Sequence, residues 1–301
     1  MRRIALILIK SGINESFEGI RMKLLTLNTH SLVEENYSSK LEHFTDAIAK
    51  IQPDIIALQE VNQSLFSPKA DADLFGYVPC GKNIVIRDDN HILQTIRRLS
   101  AKNIHYYWTY LPIKKGYDKY CEGIAVMSKS RIIQTKPLTV SKTDDKDKWK
   151  TRRIIGVRTE AYPKDWFFSV HFGWWKDDEE PFCFQWNKTC ESLGNYEYVW
   201  LMGDFNNPAH IRKEGYDLMK NSDWYDTFCL AKEKDSGVTV EKVIDGWREE
   251  SRSLKGMRID QIWCNFKPSV KSSRVIFNGK NGAVVSDHYG VIAECERSEG
   301  R

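Results

Sequence analysis

The strongest constraint on this chain's fold is a series of short apolar runs: Leu24 to Leu27, Ile55 to Leu58, Gly123 to Met127, Ile154 to Val157, Phe167 to Val170, Tyr198 to Met202, Ile259 to Cys264 and Val291 to Glu294. Each is too short for a helix, and most are continuously apolar, as strands buried on both faces are. The aromatic stretch Tyr106 to Tyr110 reads as a further strand. Between the strands lie a few helical patterns. Ser39 to Glu42 has capping-box spacing and opens a helix that runs through Ile51 and closes at Pro53. Ile92 to Leu99 and Phe182 to Leu193 predict two more helices, and Ala209 to about Met257 is a variable region of helix and loop. Strands of this length mixed with a few helices define a layered α/β domain.

The polar residues that end these runs carry the chemistry. Leu201-Met202-Gly203-Asp204-Phe205-Asn206-Asn207 says most. At strand spacing Asp204 and Asn206 point to one side, so a carboxylate and a carboxamide can face one reacting group. Gly, Asp and Asn are also the usual turn formers, and a turn reading stays open for this run taken alone. Asn28, Glu60, Glu122, His171, Asp260, Asp287 and His288 stand beside other apolar runs. Each has a local explanation as a turn, cap or rim residue. If the strands share a sheet direction, all of them converge on one rim.

Bulk properties narrow the function. The chain has 301 residues, 41% hydrophobic and 29% charged, which suits one large domain, and no Pro/Gly/Ser-rich linker or internal repeat divides it. The +4 net charge, 45 basic against 41 acidic residues, is too small and too interrupted for a nucleic-acid face. Seven cysteines, an odd number with no CxxC pair, predict a reducing, cytoplasmic setting rather than a disulfide framework or zinc site. The run Ile4 to Ile9 is far too short to cross a bilayer, so no membrane association is expected. The first convincing strand opens at Met22, closely preceded by a ribosome-site-like Glu18-Gly19, which makes residues 1–21 an expected non-native or disordered extension. Residues 22–297 are then a single domain and 298–301 a tail.

In this order the motifs Leu25-Thr26-Leu27-Asn28, Ile56-Ala57-Leu58-Gln59-Glu60, Glu122-Gly123-Ile124-Ala125-Val126, Ser169-Val170-His171, Gly203-Asp204-Phe205-Asn206, Arg258-Ile259-Asp260 and Ser286-Asp287-His288 resemble the endonuclease/exonuclease/phosphatase (DNase I-like) superfamily. The resemblance implies a four-layer α/β/β/α sandwich of two stacked mixed β-sheets flanked by helices. It also implies Mg²⁺-dependent phosphoester cleavage, with Mn²⁺ as a substitute. Glu60 would be the principal metal ligand, supported by Asn28 and Asp287. Asp204 would orient or deprotonate water, Asn206 and His171 would hold phosphoryl oxygens, Asp260 would fix His288, and Glu122 would partner His171. Independently of any family, phosphoryl transfer needs positioning and charge neutralisation, which such a set supplies.

The substrate class rests on weaker signals. Ten tryptophans are present, with Trp174 and Trp175 directly after His171-Phe172-Gly173 and Trp247 within Ile244-Asp245-Gly246-Trp247. Aromatic faces suit sugar rings, and each is equally readable as core packing. Together with Phe184-Gln185-Trp186, Thr239-Val240 and Val285 to Val291, these segments are similar to the maltose 6′-phosphate phosphatase branch of the superfamily. That similarity implies a small-molecule sugar phosphate as the partner, with no stable nucleic-acid or obligate protein partner. Trp174, Trp175, Trp247 and Arg152 are the expected substrate contacts, Arg152 because a guanidinium grips phosphate in a bidentate manner. A phosphodiesterase (nuclease or sphingomyelinase-like) and, more remotely, a non-catalytic binding module on the same fold are the alternatives.

Overall fold

The computed structural model describes residues 19–71, 74–242, 244, 247 and 256–297. Two mixed sheets lie face to face. The first contains β1 (Ile20–Asn28), β2 (Ile55–Ser64), β3 (Tyr107–Gly116) and β4 (Tyr120–Ser128). The second contains β5 (Ile132–Thr139), β6 (Arg153–Thr159), β7 (Asp165–His171), β8 (Tyr198–Asp204) and β9 (Tyr225–Asp226). The chain then contributes β10 (Glu233–Lys234), β11 (Asp260–Cys264), β12 (Ser269–Ile276) and β13 (Gly290–Arg297). The sheet orders are β10-β12-β13-β1-β2-β4-β3 and β5-β6-β7-β8-β11-β9. At the centre of each a parallel pair, β1 with β2 and β7 with β8, brings consecutive carboxyl ends to the same rim.

Strand alternation explains why the runs are apolar on both faces. Leu24, Ile55, Ala57, Val126, Phe167, Trp200, Met202 and Ala293 fill the space between the sheets. Their neighbours Leu25, Leu27, Ile56, Leu58, Ala125 and Met127 turn outward beneath α1 (Tyr37–Ile51) and α2 (His91–Ala101). On the other side α3 (Phe182–Leu193) and α4 (Gly215–Lys220) cover Phe168, Val170, Val199, Leu201 and Trp263. A four-residue α5 (Thr227–Leu230) and a single 3-10 turn at Ser31–Val33 complete the helices described. The layering is the expected α/β/β/α sandwich.

Several boundaries differ from expectation. α1 begins at Tyr37 after a left-handed Asn36, so Ser39 lies inside the helix and caps nothing. α2 and α5 are the helices with side-chain caps among the described residues: Asn90 Oδ1 accepts from Ile92 and Leu93 N–H, and Asp226 Oδ1 from Phe228 N–H. β1 starts at Ile20, ahead of Met22, because Ile20 and Arg21 already pair with Arg297 and Glu296. The proposed tail 298–301 and residues 1–18 lie outside the described residues. β5 and β12 are strands without a sequence signal. β5 is a sheet edge with exposed Gln134 and a tolerated Pro137, and β12 alternates polar and apolar residues.

Candidate active site

Two local distortions aim the first sheet's acids at the rim. Between Leu58 and Val61 the β2–β4 register shifts, and Glu60 takes a left-handed φ of 50°. This bulge sends Gln59 inward, where its Nε2 donates to Ser169 Oγ at 2.9 Å, and delivers Glu60 to Asn28, whose Nδ2 donates to Glu60 Oε1 at 2.9 Å. The same amide reaches Asp204 Oδ2 of the second sheet at 3.2 Å. On β3 a second register shift, between Pro112 and Lys114, seats Lys114 directly opposite Glu122.

The Gly-Asp-Phe-Asn run is a turn and a site at once. β8 ends at Asp204, and Asn206 adopts a left-handed φ of 48° with its N–H on Asp204 Oδ1 at 2.8 Å. The pair therefore meets through the turn rather than through strand alternation. A Cβ at Gly203 would overlap the Val170 carbonyl, so only glycine lets β8 lie this close to β7. Asn206 is fixed at both ends: Nδ2 donates to Phe172 O at 3.0 Å, and Oδ1 accepts from the Trp247 indole at 3.1 Å.

Glu60, Glu122, Arg152, His171, Trp174, Asp204, Asn206 and His288 line one cavity of about 380 Å³. Asn28 and Asp260 stand behind it and hold its members in place: Asp260 Oδ2 meets His288 Nδ1 at 2.9 Å. Asp260 is itself anchored, its N–H donating to Thr239 Oγ1 at 3.2 Å. Asp287 is more exposed and grouped differently. Its Oδ1 lies 3.8 Å from His30 Nδ1, and its N–H donates to Glu34 Oε1 at 3.0 Å. Ligand-type atoms of His30, Glu34 and Asp287 fall within 4.8 Å of one another, as do those of Asp204, Asp260 and His288.

One expected pairing is corrected. Glu122 meets Lys114 Nζ at 3.3 Å, and among the described residues no hydrogen bond or ion pair joins it to His171. The cause is register, since Lys114 faces Glu122 directly across β3 and β4. Lys114 and Trp149 line the cavity and were missed by sequence reasoning. Neither residue ends an apolar run or belongs to a quoted motif, and only the bulge turns Lys114 inward. Trp149, Trp174, Trp175 and Trp247 border an adjoining cavity of about 250 Å³. Of these Trp247 is buried with its N–H on Asn206, so it positions that amide. Asp245, Gly246 and Arg248 lie outside the described residues.

Burial sets the charge states. Asp204 is pushed up to about 7 by desolvation and the Asp260 carboxylate, against the pull of His288, the Asn206 N–H and Asn28. Burial holds His171 well below its ordinary range, reinforced by Arg152, Lys114 and His288. For His288 burial acts downward, but Asp260, Asp204 and Asp287 outweigh it and raise the imidazole well above its ordinary value. Glu60 is raised by burial and by Glu122, and among the described residues no ion pair relieves it. A half-buried carboxylate with no ion-pair partner, beside an amide, is a donor set of hard oxygens, which suits a divalent cation such as Mg²⁺ better than a soft metal.

The residue 25–288 span matches the profile of the endonuclease/exonuclease/phosphatase family, and the chain belongs to that family. Its members are hydrolases that act on phosphoester bonds. An endonuclease/exonuclease/phosphatase family protein from Leptotrichia buccalis is 30% identical over 91% of this chain and 99% of its own, with a TM-score of 0.80. A functionally unknown conserved protein from Enterococcus faecalis shares the fold at 17% identity and TM-score 0.60, over 92% of this chain and 100% of its own. So does D. rerio TDP2 complexed with single strand DNA product, at 12% identity and TM-score 0.56, over 92% and 99%. No curated protein sequence matches the chain. No helix among the described residues is long and apolar enough to cross a membrane.

Proposed function

We propose that this protein is a Mg²⁺-dependent phosphomonoesterase that releases inorganic phosphate from a sugar phosphate, with maltose 6′-phosphate as the substrate that its motifs favour. The observation that carries the reading is Asp204, a buried carboxyl with a pKa near 7, in a cavity shared with His171, His288 and Arg152. A group poised near the operating pH is suited to take a proton from water. In this scheme a water oxygen attacks phosphorus in line and passes its proton to Asp204. The bond from phosphorus to the sugar oxygen breaks, that oxygen takes a proton from solvent water and leaves as the alcohol, and Asp204 returns its proton to solvent. His288, held by Asp260, offsets negative charge on the phosphoryl group, while Asn206 and neutral His171 donate to its oxygens. Asn28, Glu60 and Asp287 would hold the cation, with Mn²⁺ as a substitute. Bound there, a divalent ion would neutralise charge on the phosphoryl and leaving oxygens.

The sugar is supported by the tryptophan-bordered second cavity and by the resemblance of the His171 to Trp175 and Val285 to Val291 segments to the maltose 6′-phosphate phosphatase branch. The odd cysteine count without a CxxC pair supports a cytoplasmic setting, and the small, interrupted net charge supports a small-molecule substrate over a nucleic-acid partner. The test is incubation with Mg²⁺ and a panel of sugar phosphates, sphingomyelin and plasmid DNA, with free phosphate measured. Phosphate released fastest from maltose 6′-phosphate supports the reading. Cleavage of the diesters alone would replace it with a phosphodiesterase, and no turnover of any phosphoester would point to the binding module.

A further inference from the structure

Lys114 and Arg152 are both buried, and both line the main cavity. They are tied to one backbone atom: Lys114 Nζ donates to the Trp149 carbonyl at 2.9 Å and Arg152 Nη1 donates to it at 3.1 Å. Two like charges gathered on one carbonyl repel each other and lose hydration, so the fold carries them at a cost unless an anion meets them. Glu122, Asp204 and Glu60 act on Arg152 through space, yet none of them contacts the guanidinium. Glu122 pairs with Lys114 alone, and among the described residues Arg152 forms no ion pair. Arg152 Nε is buried with no acceptor, as is the indole nitrogen of Trp174, over whose ring the guanidinium lies at 5.7 Å. Buried donors left without acceptors beside two cations on one wall call for a ligand rich in negative oxygens.

The arrangement is rigid. Ser141 Oγ accepts from Arg152 N at 2.8 Å and donates to Arg152 O at 3.1 Å, which clamps the residue on both sides. The preceding loop is tied down by Glu180, which accepts from the Lys142 and Thr143 N–H groups, and by the Lys150–Asp177 ion pair. Such preorganisation is what anion recognition needs.

We propose that Lys114 and Arg152, joined through the Trp149 carbonyl, form a receptor for a terminal phosphate dianion and make this site select phosphomonoesters over phosphodiesters. The proposal rests on the phosphomonoesterase reading and supplies its basis for selectivity. A monoester presents three non-bridging oxygens and up to two negative charges to this wall. A diester presents two such oxygens and one charge, and its second substituent must occupy the space beside the guanidinium.

The experiment uses the full chain and two small probes that need no sugar site, p-nitrophenyl phosphate and bis-p-nitrophenyl phosphate. Wild type should favour the monoester in kcat/KM. The double variant Lys114→Gln with Glu122→Gln, which leaves no orphaned buried carboxylate, should lower the monoester-to-diester ratio roughly ten- to a hundredfold, chiefly through KM. Calorimetric binding of inorganic phosphate without divalent metal should weaken by a similar factor. Arg152→Lys, which keeps the charge but loses the planar fork, should fall between the two. If wild type cleaves monoesters while the variants keep both the ratio and the phosphate affinity within about twofold of wild type, the receptor is wrong and the phosphatase reading stands. Cleavage of diesters alone by wild type overturns both.

Discussion

Two histidines approach the same Asp204 oxygen, His171 at 3.7 Å and His288 at 3.9 Å, yet their surroundings prepare them for opposite charge states. His288 has Asp260 on its other nitrogen and two further aspartates nearby, and it is held as a cation. His171 lies toward Arg152 and Lys114 with no carboxylate behind it, and burial keeps it neutral. The same side chain at the same distance from one carboxylate thus serves as a charge on one side and as a neutral hydrogen-bonding group on the other. Environment, rather than residue type, assigns acid and base roles.

The largest effect should come from the residue between them. Asp204→Asn should keep the fold and lose roughly 10²- to 10⁴-fold in kcat. Its folded pKa, raised from 3.8 to about 7, means that ionisation opposes folding progressively from about pH 4 and in full above 7. Without divalent metal the variant should therefore be more stable than wild type at pH 8, by on the order of 1–3 kcal/mol. The gain should shrink as pH falls through 7 and vanish below about 4, because neither state then ionises. Urea titrations at several pH values would show it, and a pH-independent gain would assign the effect to packing.

The two histidines should then separate in their pH profiles. A raised pKa contributes stability that is complete below the unfolded value, about 6.5, and is lost as pH rises through the folded one. The stability gap between wild type and His288→Gln should thus be widest in mild acid and close at alkaline pH, alongside a roughly 10²-fold loss of kcat. His171→Gln should do the reverse. A depressed histidine makes the fold lose stability as pH drops below about 6.5, by up to ~1.4 kcal/mol per pH unit, and the variant should be spared that share. Buried His91, lowered to about 3 chiefly by desolvation, leaves an acid limb of the same sign in every variant. Equal profiles for the two glutamine variants would break the comparison. The smallest effect is expected for Trp247→Phe, which removes the indole donor from Asn206. We expect a severalfold rise in KM, equivalent to about 1 kcal/mol, with little change in Tm.

Much of this was legible because strand ends are fixed by the apolar runs that precede them. Asn28, His171 and Asp204 each close a strand, at the positions where the sequence puts them. What stayed hidden depends on distortions that no local pattern records. Glu60 reaches the site through a bulge, Lys114 turns inward through another, and Glu122 consequently finds a lysine instead of a histidine. Tryptophan was a blunt guide. Seven of the ten are buried, namely Trp108, Trp166, Trp186, Trp200, Trp224, Trp247 and Trp263. Only Trp149, Trp174 and Trp175 keep accessible faces beside the cavities, and composition cannot tell the two groups apart. β5 escaped because an edge strand carries polar residues on its open side, and β12, flanked on one side only by the two-residue β10, alternates polar and apolar residues in the same way.

The inward Gln59 has a wider consequence. Its bond to Ser169, with Asn28 to Asp204 and His288 to Asp260, stitches one sheet to the other at the rim. Neither sheet alone owns the cavity, because Asn28 and Glu60 ride on one and Asp204, the carboxyl proposed to take the water proton, on the other. A slip of one layer over its neighbour by a fraction of a residue would scatter the constellation while every ladder within each sheet stayed intact. Turnover is therefore a gauge of interlayer alignment, and on warming it should fade while circular dichroism still reports a full complement of strands.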